Sequence, residues 1–273
     1  MLRTLLTAAL VVASLAALGA QLWPAPAQAN HCLAYVEGPP DVVPAAFADA
    51  PSIAQSAGSV SITYVDHSTF RLRTPGGVVI ATDYAGYAGS GPTPRVVTMN
   101  HAHETHYTDF PDPDIEYVLR GWNPKGGPAE HELTVRDVQI RNVPTDIRSW
   151  GAAVERYGNS IFIFEVADLC IGHLGHLHHR LSDEDLALIG RLDIVFAPVD
   201  GSYTLDLPSM IAVLKELRAS LVIPMHYFGT ASLRIFLAGM REAFAIQIER
   251  TTTIDVALET LPRHPTVMVL AGP

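Results

Sequence analysis

Three apolar runs in this chain end in histidine, and that pattern limits the folds open to it. Val96 to Met99 leads into Asn100-His101-Ala102-His103-Glu104-Thr105-His106, with three imidazoles in six residues. Leu169 to Ile171 leads into His173-Leu174-Gly175-His176-Leu177-His178-His179, and Leu221 to Pro224 leads to Met225 and a lone His226. Apolar runs this short read as buried strands. Strands that finish on imidazole predict a layered protein whose strand ends meet at one edge and build one site there. Neutral imidazole is a good ligand for zinc and similar borderline ions, and a His-x-His pair on a turn can offer two nitrogens to one ion. Any one of these histidines is more simply a hydrogen-bonded or surface residue. Two clusters and a lone member at strand ends together predict a metal site. A purely structural zinc site would draw on cysteines, and the chain has only two.

The neighbouring segments supply the layers. Val60 to Val65 alternates, Phe70 to Thr74 follows, and after a Pro75-Gly76-Gly77 turn Val78 to Ala81 runs to Asp83, which predicts a three-strand meander. Tyr84 to Pro94 reads as a loop, and Tyr107 to Pro128 as a long irregular segment with one short strand at Ile115 to Leu119, a candidate substrate wall. Leu133 to Val135 with Val138 to Ile140, and Asn159 to Val166 with Leu169 to Ile171, predict hairpins. Then the texture changes. A capping box at Ser182 to Asp185 opens a helix through Ile189, Ile194 to Ala197 is a buried strand, and Asp206 caps a helix to about Arg218. After the Leu221 to Pro224 strand, Ser232 to Phe244 suits a helix and Thr266 to Leu270 a terminal strand.

The 273 residues, 48% hydrophobic and 17% charged, suffice for one ample core or two fused halves. A formal charge of −10 argues against a nucleic acid or an anionic membrane surface as partner and leaves a small-molecule substrate. Residues 1–29 read as a signal peptide: Met1-Leu2-Arg3, the uncharged apolar run Leu5 to Leu18, and Ala27-Gln28-Ala29 before a cut after Ala29. The run is near the lower length limit for spanning a bilayer, so an uncleaved anchor is the lesser reading. The expected location is periplasmic or secreted, without stable membrane insertion after cleavage. Residues 30–57 are expected to form an N-terminal arm and 58–273 the functional domain. Cys32 and Cys170 could form a disulfide in an oxidising compartment, or Cys170 could be a buried free thiol; the sequence leaves both open. Oligomeric state leaves no readable trace.

Several ordered motifs carry a resemblance: Asp66-His67-Ser68-Thr69-Phe70, the strand-ending Asp83, His101 to His106, Gly158-Asn159-Ser160-Ile161, His173-Leu174-Gly175-His176 and Pro224-Met225-His226-Tyr227. Over roughly 58–273 the chain resembles the metallo-β-lactamase superfamily, in its branch of general metal-dependent hydrolases with ascorbate-phosphate lactonase-like and phospholipase D-like members. The resemblance implies an α/β fold, a four-layer αββα sandwich with the metal site along one edge of two facing sheets. It implies one metal position served by His101 and His103, a second served by His106 and His226, and hydrolysis by a metal-activated water.

The chain departs from the family pattern in its carboxylates. Thr105 stands at the metal-binding Asp of His-x-His-x-Asp-His, and His176 stands where a bridging Asp is expected. A neutral imidazole has one lone pair and cannot bridge two ions. The third ligand of the first position would fall near Val143 to Arg148, where Asp146 is the only donor. Fewer carboxylates favour one ion, zinc or another divalent metal, over two. The expected ligands are His101, His103, His176 and His226 with His106 close by. Asp83 is preferred over Glu104 and Asp109 as the outer carboxylate that orients the histidines and takes a proton, so Asp83 and His106 are the expected catalytic pair. His178 and His179 are alternative ligands or the solvated lead into the Ser182 helix. The expected function is an exported metal-dependent hydrolase of a small ester, lactone, amide or phosphodiester. The other reading, favoured by Thr105 and His176, is a catalytically degenerate metal- or ligand-binding protein on the same fold.

Overall fold

A computed structural model of the chain describes residues 31–33, 58–148 and 153–272. The signal peptide predicted over 1–29 and nearly all of the 30–57 arm lie outside the described residues. The strands are β1 (Val60–Asp66), β2 (Thr69–Arg73), β3 (Val79–Ala81), β4 (Val96–Met99), β5 (Tyr117–Arg120), β6 (Glu132–Val135) and β7 (Val138–Arg148). They continue as β8 (Val154–Val166), β9 (Leu169–His173), β10 (Ile194–Pro198), β11 (Leu221–Met225), β12 (Ala245–Ile248), β13 (Thr253–Val256) and β14 (Thr266–Val269). Three α-helices, α1 (Asp183–Ile189), α2 (Leu207–Leu217) and α3 (Thr230–Met240), lie among the described residues, with one 3-10 turn at Leu258–Thr260.

These strands form two sheets, one of six in the order β13-β1-β2-β3-β4-β5 and one of eight in the order β12-β14-β11-β10-β9-β8-β7-β6. Strands β9, β10 and β11 run parallel and are buried on both faces, which is why their sequences are continuous apolar runs. Parallel neighbours finish on the same side. Phe196 pairs with His173 and Pro198 with Met225, so the residues after β9, β10 and β11 emerge together at one sheet edge. The facing edge of the other sheet supplies the end of β4.

Between the sheets the inner faces interlock, with Phe70 stacked on Phe196 at a centroid distance of 4.1 Å and both rings fully buried. Truncating either to Ala would cost about 3–5 kcal/mol. The three helices cover the outer face of the eight-stranded sheet, where Met210, Val213, Leu214, Phe236 and Met240 pack on Val195, Ala197 and Val222. The outer face of the six-stranded sheet carries no α-helix among the described residues. Tyr84, Ala88 and Ile115, with Tyr107 and Trp122, close it over Ala81, Val97 and Met99. The sandwich is therefore the αββα type with an irregular fourth layer.

Ser182 and Asp185 form the expected capping box of α1, and Asp206 caps α2. Buried Arg141 donates to the carbonyls of Leu188 and Ile189 at 2.8 and 2.7 Å and so satisfies the last turn of α1. That polar residue also interrupts the apolar pattern of β7, which runs eight residues beyond the predicted Ile140 to Arg148. The predicted Ser232 to Phe244 helix stops at Met240, and its tail joins edge strand β12, where Ile248 is exposed. Strand β13 was not predicted; it returns to the first sheet and pairs antiparallel with β1, Val60 opposite Val256. Cys32 and Cys170 are disulfide-bonded, with Cα atoms 5.8 Å apart, so Cys170 is not a free thiol.

Candidate metal centre

The chain after β4 turns back on itself: Asn100 N–H donates to the His106 carbonyl at 3.1 Å and His106 N–H to the His103 carbonyl at 2.9 Å. Asn100, fully buried, ties this loop to both sheets. Its Nδ2 donates to Asp83 Oδ1 at 2.8 Å and its Oδ1 accepts from Ser160 N–H at 2.7 Å. Across the cleft Gly175 has φ +59°, and a Cβ there would collide with Asn159 and Asn100. Glycine at that point of His173-Leu174-Gly175-His176 is thus a steric requirement. His67, Asp83 and His226 hold φ values of 43°, 43° and 54° without being glycine. Such backbone costs about 1–2 kcal/mol each and is sustained where the surroundings fix it.

His103, His106, His176 and His226 come together, each offering a ring nitrogen, with those atoms all within 4.8 Å of one another. Nε2 of His106 lies 3.2 Å from Nε2 of His226, and Nε2 of His103 lies 3.0 Å from Nε2 of His176. The opposite nitrogen of each ring has its own partner. Nδ1 of His106 donates to Asp83 Oδ2 at 2.7 Å, and Nδ1 of His226 donates to Asp200 Oδ1 at 3.0 Å. Nδ1 of His103 lies 2.9 Å from Thr105 Oγ1, and Nδ1 of His176 is hydrogen-bonded to Nε2 of His178.

This donor set fits a cation. His106 and His226 have their N–H groups turned outward to carboxylates, so two lone pairs face each other at 3.2 Å. Only a positive charge between them relieves that repulsion. At a zinc–nitrogen bond of about 2.0–2.1 Å, two ligands on a tetrahedron have nitrogens roughly 3.3 Å apart. Asp83 and Asp200, with side chains 0% and 2% exposed, stand one ring behind the cluster and can balance a divalent charge.

Burial, reinforced by neighbouring imidazoles and opposed by Asp83 and Asp200, pushes His103 down to about 4. Burial also lowers His106 and His176; Asp83 works against the shift in His106, and the surrounding rings add to it in His176. These rings are neutral at neutral pH, the state that binds metal. Burial would raise the two carboxyls. In Asp83 it is outweighed by His173, His106 and Asn100, and in Asp200 by hydrogen bonds from His226, Thr204 and Ser202, so both are held below the usual range. His67 sits 4.0 Å from His226 between ring centroids, and its Nε2 is buried without a hydrogen-bond partner among the described residues. Burial and the nearby imidazoles push it down to about 3.

His101, expected beside His103, has different company. Its ring stacks on Trp122 at 5.0 Å and its Nδ1 lies 2.6 Å from Glu155 Oε1, because the turn that points His103 inward points His101 toward β8. Asp146 accepts from Tyr157 N–H at 2.9 Å, while Glu104 and Asp109 are exposed loop acids. His173 is a satisfied buried residue, donating to Ser68 O and accepting from Gly175 N–H. Asp200 was missed by sequence reasoning, although the signal existed: it follows the buried run Ile194 to Pro198 much as Asp83 follows Val79 to Ala81. Glu155 left no such signal. Tyr203 and Phe228, 61% and 67% exposed, pair 5.6 Å apart beside His67 and His226 and give the cleft an aromatic lip.

Comparison with known proteins agrees with this geometry. A family model for the beta-lactamase superfamily domain matches residues 61–226. A metal-dependent hydrolase of the UPF0173 group from Methanoculleus marisnigri is 30% identical over 215 residues, 72% of this chain and 92% of the relative. Another from Chloroflexus aurantiacus is 26% identical over 76% of this chain and 96% of its own length. A solved Thermotoga maritima protein, assigned as a zinc-dependent hydrolase of the metallo-β-lactamase superfamily, superposes with a TM-score of 0.58 at 26% identity, covering 77% of this chain and 98% of that one. With its histidine cluster at the shared sheet edge, the chain belongs to the metallo-β-lactamase superfamily, among its UPF0173 metal-dependent hydrolases.

Proposed function

We propose that this protein is an exported hydrolase that uses one zinc ion, held within the His103, His106, His176 and His226 cluster, to cleave a small ester, lactone, amide or phosphodiester. The observation that carries the metal assignment is the pair of lone pairs facing each other at 3.2 Å on His106 and His226. A divalent ion there supplies a water of lowered pKa and polarises the scissile carbonyl or phosphoryl oxygen. The chain's own residues hold that chemistry in place. Asp83 and Asp200 fix the tautomers of His106 and His226, keep both rings oriented, and stabilise the positive charge of the centre. Asp83 lies behind His106, on the Nδ1 side, so its part is to position that ring and accept its proton rather than to touch substrate. The aromatic lip of Tyr203 and Phe228 suits a substrate with an apolar group beside the cleaved bond. Export accords with the leader-like residues 1–29 and with the Cys32–Cys170 disulfide, which persists in oxidising compartments.

Elemental analysis of the untagged chain reconstituted with zinc tests the reading. One ion per chain, lost in His106→Ala and in His226→Ala, together with turnover of a substrate from those four classes, is the expected result. No bound ion at micromolar zinc overturns it. Thr105 and His176, at positions where carboxylates are expected, favour a second reading: one bound ion without turnover of any ester, lactone, amide or phosphodiester would make this a metal- or ligand-binding protein.

A further inference from the structure

Resting on the proposed metal site, we infer that His176 is not a ligand to the ion but a hydrogen-bond donor held beside it, and that Arg148 and His178 impose this role. A backbone N–H can only donate. That of Arg148 lies 2.6 Å from Nδ1 of His178, so this nitrogen carries a lone pair and the proton of neutral His178 sits on Nε2. Nε2 of His178 is hydrogen-bonded to Nδ1 of His176. It donates, so Nδ1 of His176 accepts, and the one proton of neutral His176 sits on its own Nε2. That N–H faces Nε2 of His103 at 3.0 Å, and His103 passes the pattern on by turning its Nδ1–H to Thr105 Oγ1 at 2.9 Å. Every donor in this row has one acceptor. Reversing the row would set the Arg148 N–H against a second N–H.

The two other rings are under the opposite constraint. Carboxylates accept from Nδ1 of His106 and His226, which leaves lone pairs on their inward nitrogens. The shared space is therefore lined by three lone pairs, on His103, His106 and His226, and by one N–H, on His176. A nitrogen that carries a proton in the ring plane has no lone pair to give an ion. With His103 among the residues that would hold the ion, the N–H of His176 would be left without its acceptor and available to an oxygen of the substrate, the role of a preorganised donor in hydrolysis.

The ring is held firmly enough for this. Its backbone N–H donates to Asn159 Oδ1 at 2.7 Å, and Gly175 before it admits no side chain. Arg148 is anchored by its guanidinium on the Thr204 carbonyl at 2.6 Å, in the loop that wraps Asp200, so one residue braces both His176 and the support of His226.

Long-range nitrogen–proton correlation spectra of the protein labelled with ¹⁵N-histidine, with and without zinc, read each ring's tautomer. Protonated Nε2 in His176 and protonated Nδ1 in His106 and His226 are expected in both states. Chelator competition gives a second readout: His176→Ala and His176→Gln should keep one zinc with affinity within about 100-fold of the parent, the range of an outer partner, whereas His226→Ala should lose it. A His176 ring protonated on Nδ1, or loss of the ion in His176→Gln to the extent seen in His226→Ala, overturns the inference while the metal-site reading stands. If the parent chain binds no zinc, the metal-site reading fails. The spectra of the metal-free chain still decide the tautomer of His176.

Discussion

Replacing Asp200 by Asn is the most informative single change, because the amide cannot serve both groups that the carboxylate serves. Oδ1 accepts from His226 Nδ1 at 3.0 Å, while Oδ2 accepts from the backbone N–H groups of Ser202 at 2.8 Å and Tyr203 at 2.5 Å. An amide oxygen turned to His226 sets the NH₂ against those two amides. Ser202 and Tyr203 are exposed and water can replace part of the loss, so this orientation costs about 1 kcal/mol per bond, roughly 2 in all. An amide oxygen turned to the loop sets NH₂ against His226, which must move its proton to Nε2 and so surrender its lone pair. In that orientation Asp200→Asn weakens zinc binding by about 10- to 100-fold, equivalent to roughly 1.4–2.7 kcal/mol. In the first orientation zinc affinity is kept and the melting temperature of the metal-free protein falls by about 4–8 °C for the roughly 2 kcal/mol lost from the loop. Competition with a fluorescent chelator and calorimetry measure the two effects. Asp146→Asn, whose carboxylate touches only Tyr157 N–H and none of the four rings, is the control. Zinc affinity within twofold of the parent in Asp200→Asn, together with an unchanged melting temperature, would refute the assignment of His226 as a ligand oriented through Nδ1.

Acid should destabilise the metal-free protein in a defined window. His67 and His103 are held at about 3 and about 4 in the fold, against about 6.5 in the unfolded chain, so between about pH 6.5 and 4 the unfolded state binds more protons and stability falls with pH. The lowered carboxyls of Asp83 and Asp200 add a further loss only below about pH 4. A melting temperature independent of pH from 7.5 to 4.5 would contradict a neutral histidine cluster. His101→Ala should leave one zinc per chain, since its ring is engaged with Glu155 and Trp122; loss of the ion on elemental analysis would show that His101 turns inward on binding. Reducing the Cys32–Cys170 bond releases a closure spanning 138 residues and should destabilise by up to about 5 kcal/mol, read from denaturant midpoints of Cys32→Ser and Cys170→Ser against the parent. Unchanged midpoints would mean that the crosslink contributes nothing to stability.

Sequence reasoning reached the layers and the site's edge because both depend on position along the chain. A buried parallel strand is an apolar run, and the residues after it must emerge at the sheet edge, so the histidines after β4, β9 and β11 could be placed without coordinates. The four-residue edge strands β12 and β13 could not, because partly exposed pieces such as Ala245–Ile248 bury too little for alternation to show. The choice between His101 and His106 was equally out of reach, since it depends on which way a tight turn faces and on Glu155, about fifty residues away in the chain. Most of all, spacing says nothing about which nitrogen of a ring carries the proton. That detail is set by acceptors and donors behind the rings, Asp83, Asp200, His178 and the Arg148 amide.

Those supports also change what the missing carboxylates mean. Thr105 and His176, where the family pattern has acids, predict a centre whose positive charge is poorly compensated. The fold instead buries two anions one ring farther out, Asp83 behind His106 and Asp200 behind His226. Four neutral rings and two carboxylates make a divalent centre neutral as a whole. Without the ion the same two anions are held by hydrogen bonds, Asp83 from His106 and Asn100 and Asp200 from His226, Thr204 and the Ser202 N–H. A cation one ring away adds a further favourable interaction with both charges. Moving the acids from the ligand positions to the Nδ1 sides of the rings thus keeps two anions near a bound cation and accords with the single ion of the proposed function. It also frees the position of His176 for an N–H donor, which a bridging carboxylate would have excluded.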